Sequence, residues 1–78
     1  MQMEELDRIR AEINDQLGRR IWLKAHWGRS RSMIAEGVLE SAFPTVFTVT
    51  IQNEGESSRM SYTYGDILCK NLEWKVLE

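Results

Sequence analysis

Between Arg19 and Arg31 the chain gathers five cations, Arg19, Arg20, Lys24, Arg29 and Arg31, with no acid among them and with Trp22 and Trp27 interleaved. Guanidinium groups fork onto phosphate oxygens and indole rings stack on bases, so this order suits nonspecific contact with nucleic acid. It suits a protein partner equally well, because tryptophan and arginine carry much of the energy of protein interfaces. The plainest reading is a set of solvated strand and turn residues facing acids from elsewhere in the chain. Charge weighs against nucleic acid: the formal net charge is −2, whereas nucleic-acid domains are typically strongly basic. Residues 1–18 carry −3, residues 19–31 carry +5 and the remainder −4. The basic character is local.

Other reactive side chains do not form catalytic sets. His26 is the only histidine and Cys69 the only cysteine, which excludes an internal disulfide and disfavours structural zinc, normally held by four Cys or His ligands. His26 reads as an exposed residue at a strand end, and Cys69 as a small buried apolar side chain beside Leu68. Ser61-Tyr62-Thr63-Tyr64-Gly65-Asp66 brings hydroxyls near one carboxylate without a base. Tyr62 and Tyr64 are expected to face the core with their hydroxyls at its rim, and Asp66 to cap the turn that follows. Glu36 and Glu40 share a strand face at a spacing that chance produces often. There is no phosphate-binding glycine loop, nucleophile elbow or Cys-x-x-Cys. No cofactor is expected, and no enzymatic activity.

The elements that must position these residues follow from hydrophobic period. Met3, Leu6, Ile9, Ile13 and Leu17 recur at steps of three and four, which predicts a helix over 3–17 stopped by Gly18. Glu4, Glu5 and Asp7 complement its positive pole, and Arg19 and Arg20 its negative one. The period then becomes two. Ile21, Leu23, Ala25 and Trp27 face inward on a first strand, with Trp22, Lys24 and His26 outward. After the turn Gly28–Ser32, a second strand from Met33 to Ser41 is expected to bend or bulge at Gly37. Val46–Ile51 forms a third strand, with Phe47, Val49 and Ile51 inward and threonines outward; Asn53–Ser57 forms a hairpin loop. Arg59–Tyr64 forms a fourth strand, then comes a single helical turn through Leu68. Leu72, Trp74 and Val76 point one way on a fifth.

Seventy-eight residues support one core, so the expected organisation is a single domain over 1–78, with the helix at 3–17 and a β-barrel over 20–77. The fold class is mainly β: a helix followed by a five-stranded small barrel of the Src-homology-3, Sm-like type, in which rolling the sheet covers most edges and the helix stripe closes one end. A core this small often gains from a partner subunit, and Trp22 and Ile34 are apolar residues left facing outward. A homodimer is therefore expected. Neither a secretion signal nor a stretch long enough to span a bilayer is recognisable, which points to a cytoplasmic protein that makes no membrane contact.

Leu17-Gly18-Arg19-Arg20, Leu23-Lys24-Ala25, Gly28-Arg29, Gly37-Val38-Leu39-Glu40, Pro44-Thr45-Val46-Phe47 and Ser61-Tyr62-Thr63-Tyr64-x-Asp66-Ile67-Leu68 together resemble the Veg family of Firmicutes, small cytoplasmic stimulators of biofilm formation. The resemblance runs over roughly residues 6 to 77. It implies a regulatory protein without catalytic activity that promotes matrix-gene expression by antagonising a transcriptional repressor. The chain departs from the family pattern in two places. Where members carry Gly-Gly followed by three basic residues, it has Trp27-Gly28-Arg29-Ser30-Arg31, and Met33-Ile34-Ala35 replaces residues that are commonly charged. The leading expectation is therefore a protein-interaction module using Arg19, Arg20, Trp22, Lys24, Trp27, Arg29 and Arg31. The alternative is an Sm-like nucleic-acid binder acting through Arg29 and Arg31.

Overall fold

The computed structural model describes residues 2–27, 30–53 and 55–77, with the side chains of Gln2, Met3, Trp27 and Asn53 outside that description. Helix α1 (Gln2–Asp15) is followed by strands β1 (Arg20–Trp27), β2 (Arg31–Ala42), β3 (Val46–Asn53) and β4 (Glu56–Thr63), the short helix α2 (Tyr64–Leu68) and strand β5 (Leu72–Val76). The strands form one antiparallel sheet in the order β4-β3-β2-β1-β5. The mainly β fold with its leading helix is as the sequence predicts. Its strand ladder runs from β4 to β5, and α2 bridges the two edge strands.

Helix α1 ends earlier than its apolar stripe suggests. Beyond Asp15 the backbone tightens into bonds from Gln16 N–H to the Ile13 carbonyl and from Leu17 N–H to that of Asn14, and Gly18 turns at φ 85°. Ile13 is fully buried with Leu6 and Ile9 packed beside it, whereas Leu17, expected in the stripe, stays 36% exposed because it lies past the helix. The core these residues meet is Ile21, Leu23, Leu39, Phe47, Val49, Tyr64 and Leu72. Alternation on β1 and β3 supplies most of it, since period-two residues on a strand share one face.

Strand β2 is longer than predicted and serves two neighbours. Its first part pairs with β1 from Trp27↔Arg31 to Arg20↔Val38, and its second with β3 from Gly37↔Ile51 to Ala42↔Phe47. A register shift between Leu39 and Ser41 leaves Glu40 as an extra residue, so Leu39 and Ala42 can both face inward. Gly37 sits where the two pairings overlap. A Cβ built on it would run into the Thr50 carbonyl oxygen and lie 2.9 Å from Val49 Cγ1, so glycine is required by close approach.

The other departures lie at the β3–β4–α2 end. The loop expected over Asn53–Ser57 is a tight turn, with Asn53 paired to Glu56 and Gly55 at φ 87°. Tyr64, assigned to the fourth strand from its parity, opens α2 instead. Thr63 is the N-cap: its hydroxyl accepts from Asp66 N–H at 3.1 Å while the Asp66 carboxylate accepts from Thr63 N–H at 3.3 Å. Asp66 thus completes a capping box from its third position. At the other end Asn71 N–H reaches the Asp66 carbonyl and Lys70 N–H that of Ile67, a Schellman stop with Lys70 at φ 63°. Cys69, expected to be buried, is exposed at this helix end. The threonines of β3 do not all reach water either, for Thr48 is 7% exposed and its hydroxyl has no partner among the described residues.

Gly37→Ala is expected to destabilise the chain by about 3 kcal/mol, because the blocking atoms are backbone and cannot rotate away. Lys70→Gly should stabilise it by about 0.5–1 kcal/mol by relieving the left-handed residue. Urea unfolding of both variants measures the two shifts.

Candidate functional site

The alternation that buries Ile21 and Leu23 turns Arg20, Trp22, Lys24 and His26 to the opposite face of the sheet. Pairing to β2 and β5 then sets what stands beside each. Arg20 lies opposite Val38, with Leu77 N–H donating to its carbonyl at 2.8 Å. Trp22 lies between Glu36 and Lys75, Lys24 between Ile34 and Glu73, and His26 is flanked by Ser32 and by Asn71, whose carbonyl accepts its N–H at 2.7 Å. The result is a ribbon of charged and apolar residues centred on one half-buried tryptophan.

Its charges are paired on the diagonals. The Arg20 guanidinium donates to Glu36 Oε1 at 2.8 Å, and His26 Nε2 lies 2.7 Å from Glu73 Oε2. The Lys75 ammonium stands 5.7 Å from the centroid of the Trp22 ring, within cation–π range. Hydrogen bonding from His26 holds the Glu73 carboxyl below its ordinary value, and the charges of His26, Lys24 and Lys75 act in the same direction. His26, read from sequence as an exposed strand-end residue, is half-buried and belongs to a carboxylate pair.

Of the residues singled out from sequence, the fold brings Arg20, Trp22 and Lys24 onto this one face. Arg19 and Arg31 are exposed beyond its two ends. Arg29 and the Trp27 side chain lie outside the described residues. Sequence reasoning placed Ile34 outward with Trp22 but missed Glu36, Glu73, Lys75 and Val38 as members of the surface. The period-two pattern could have assigned their faces, but only strand register makes them neighbours. Glu36 and Glu40 do not act together: Glu40 lies on the bulge and pairs with Arg59 at 2.6 Å.

A second cluster joins α1 to the β2–β3 turn. The Tyr64 hydroxyl donates to the Phe43 carbonyl at 2.7 Å and Arg10 stands 5.7 Å from the Tyr64 ring centroid. Burial raises the Tyr64 phenol above its ordinary range, with Arg10 and the bond to Phe43 opposing that rise. Tyr62, expected to reach the rim with its hydroxyl, has that oxygen buried without a partner among the described residues, and burial raises the phenol as well. Among the described residues no group of three His, Cys, Asp or Glu side chains could hold a metal ion. Among the same residues no helix is long and apolar enough to cross a membrane.

These features define a class: a small helix-capped antiparallel β fold whose assembled polar residues lie on an open strand face. The family model described as Biofilm formation stimulator VEG matches residues 4–75. The chain belongs to that family, and the role that goes with membership is a small regulatory one in biofilm formation. No curated protein matches it significantly.

Because the Glu73 carboxyl titrates below its ordinary value, its contribution to stability is complete above the unfolded-state value and is lost as pH falls through the folded-state value. Glu73→Gln should melt below the parent chain near neutral pH, and the gap should close as pH falls through the lowered folded-state value of the Glu73 carboxyl. Thermal melts across an acid pH series read this directly.

Proposed function

We propose that the chain is a non-enzymatic cytoplasmic regulator that promotes biofilm-matrix gene expression by binding another protein, a transcriptional regulator, through the Trp22-centred face of β1, β2 and β5. The observation that carries this reading is the arrangement around Trp22. A half-buried aromatic stands among exposed apolar side chains, Ile34, Val38 and Leu77; of its charged neighbours, Glu36 is bound by Arg20 and Lys75 lies over its ring. Interfaces concentrate their energy in such aromatic centres, with a polar surround that keeps water out. Arg19 and Arg31 extend the surface beyond the ribbon.

Nucleic-acid binding through the basic turn is the weaker reading. Glu36 and Glu73 stand within the same rows as Arg20 and Lys24, where a phosphate backbone would meet carboxylates. Phosphate contacts would also have to be made by a chain of net charge −2.

The test combines a matrix-promoter reporter with co-precipitation from nuclease-treated extract. Trp22→Ala should weaken partner capture by about 2 kcal/mol and lower the reporter, with its thermal melt taken alongside. Arg29→Ala with Arg31→Ala should mainly slow association. Capture that nuclease abolishes, or that only the arginine pair affects, would show that nucleic acid is the partner.

A further inference from the structure

The charges around Trp22 are satisfied unequally within the fold. Both carboxylates of that face are taken: Glu36 accepts from Arg20 at 2.8 Å, and Glu73 lies 2.7 Å from His26 Nε2. The ammonium groups of Lys24 and Lys75 have no such partner, for among the described residues no carboxylate lies within ion-pair distance of either. Register sets these two lysines around one ring. Lys75 is the β5 neighbour of Trp22, with its ammonium 5.7 Å from the ring centroid, and Lys24 lies two residues along β1 on the same face. Across from Lys24 on β2 stands Ile34, 60% exposed.

Many of the chain's acids lie on the other side of the sheet. Helix α1 packs Leu6, Ile9 and Ile13 into the core that holds Ile21 and Leu23, the residues of β1 that point away from Trp22. Its exposed Glu4, Glu5, Glu12 and Asp15 therefore stand across the sheet from the two lysines, in a segment, residues 1–18, of charge −3. A surface bearing carboxylates is repelled by the helix side and drawn to the Trp22 side.

We propose that the Trp22 face takes an acidic segment of the partner protein, one that seats an apolar side chain against Trp22 and Ile34 and sets carboxylates opposite Lys24 and Lys75. This names the chemistry of the partner and rests on the protein-binding reading above. The inequality in pairing selects it. A basic segment would find Glu36 and Glu73 already bonded to Arg20 and His26, and would have to break those bonds to gain an acceptor. An acidic segment meets two ammonium groups with donors to spare, since Lys75 can stay over the ring and still donate outward. A nucleic acid carries a phosphate at every step, so some of its charges would fall beside Glu36 and Glu73. A protein segment can place acids at the lysines and neutral residues at the glutamates.

Selection of short random peptides displayed on phage, against the immobilised full chain at physiological salt, tests this. The recovered sequences should be rich in Asp and Glu beside Leu, Phe or Trp. A labelled peptide of that kind, followed by fluorescence anisotropy, should have its Kd raised roughly tenfold or more by Lys24→Glu with Lys75→Glu, and comparably by Trp22→Ala. Lys24→Gln with Lys75→Gln adds no charge and should weaken binding by a smaller factor; it stands in for the reversal should circular dichroism show that variant unfolded. Recovered peptides without an acidic excess, acidic ones whose binding survives both lysine variants, an oligothymidylate that binds more tightly than they do at the same salt, or no binder at all overturns the proposal. Peptides that need Trp22 but carry no acids overturn it and leave the protein-binding reading standing, whereas acidic peptides indifferent to Trp22→Ala overturn both.

Discussion

Strand β2 has to pair with β1 through one half and with β3 through the other, and it can do so only because its backbone comes into contact with β3 at Gly37. The missing side chain lets the Thr50 carbonyl and the Val49 methyl groups approach where any Cβ would lie. At that contact the pairing with β3 begins, and Leu39, Phe47 and Val49 beside it are fully buried in the core. The extra residue at Glu40 completes the change of direction, since without it Ala42 would turn away from Phe47. The core depends on this crossing.

The opposite end is held by polar contacts with a short reach. Thr63 and Asp66 fix the start of α2, and the bonds from Lys70 and Asn71 fix its end. Tyr64, thereby held against the core, lies 5.6 Å from Phe47 between ring centroids and ties the Phe43 carbonyl and Arg10 to one spot. Helix α1, the β2–β3 turn and α2 are thus anchored through a single aromatic side chain. The outer face of β1, β2 and β5 takes no part in that anchoring.

Local period carried much of this into the sequence. The change from three-and-four spacing to two at Gly18 marks the helix boundary, and alternation correctly turns Ile21 and Leu23 inward and Trp22 and Lys24 outward. A glycine inside an apolar strand signals the bend at Gly37. What period cannot supply is register. Arg20 meets Glu36, His26 meets Glu73 and Lys75 meets Trp22 through pairings between strands that are distant in sequence, and nothing local specifies them. Tyr64 was misassigned for a related reason: its parity fits a strand, but the capping box of Thr63 and Asp66 prevails over parity. Cys69 was misplaced because its general burial tendency gives way at a helix end, where the backbone is turning to solvent.

The paired charges of the outer face contribute little to folding, because exposed ion pairs of this kind contribute about 0–1 kcal/mol after solvent screening. Their effect is on shape. Each pair limits the rotamers of two long side chains, so the surface around Trp22 meets a partner with part of its ordering entropy already lost, which lowers the cost of association. Arg20 joined to Glu36 and Lys75 lying over Trp22 also present a mixed pattern of charge, which selects among protein surfaces by complementarity and gives a uniform polyanion no continuous track. The register of β1 with β2 and β5 places those residues side by side; the pairing between them turns a short basic stretch into a surface with defined charge order.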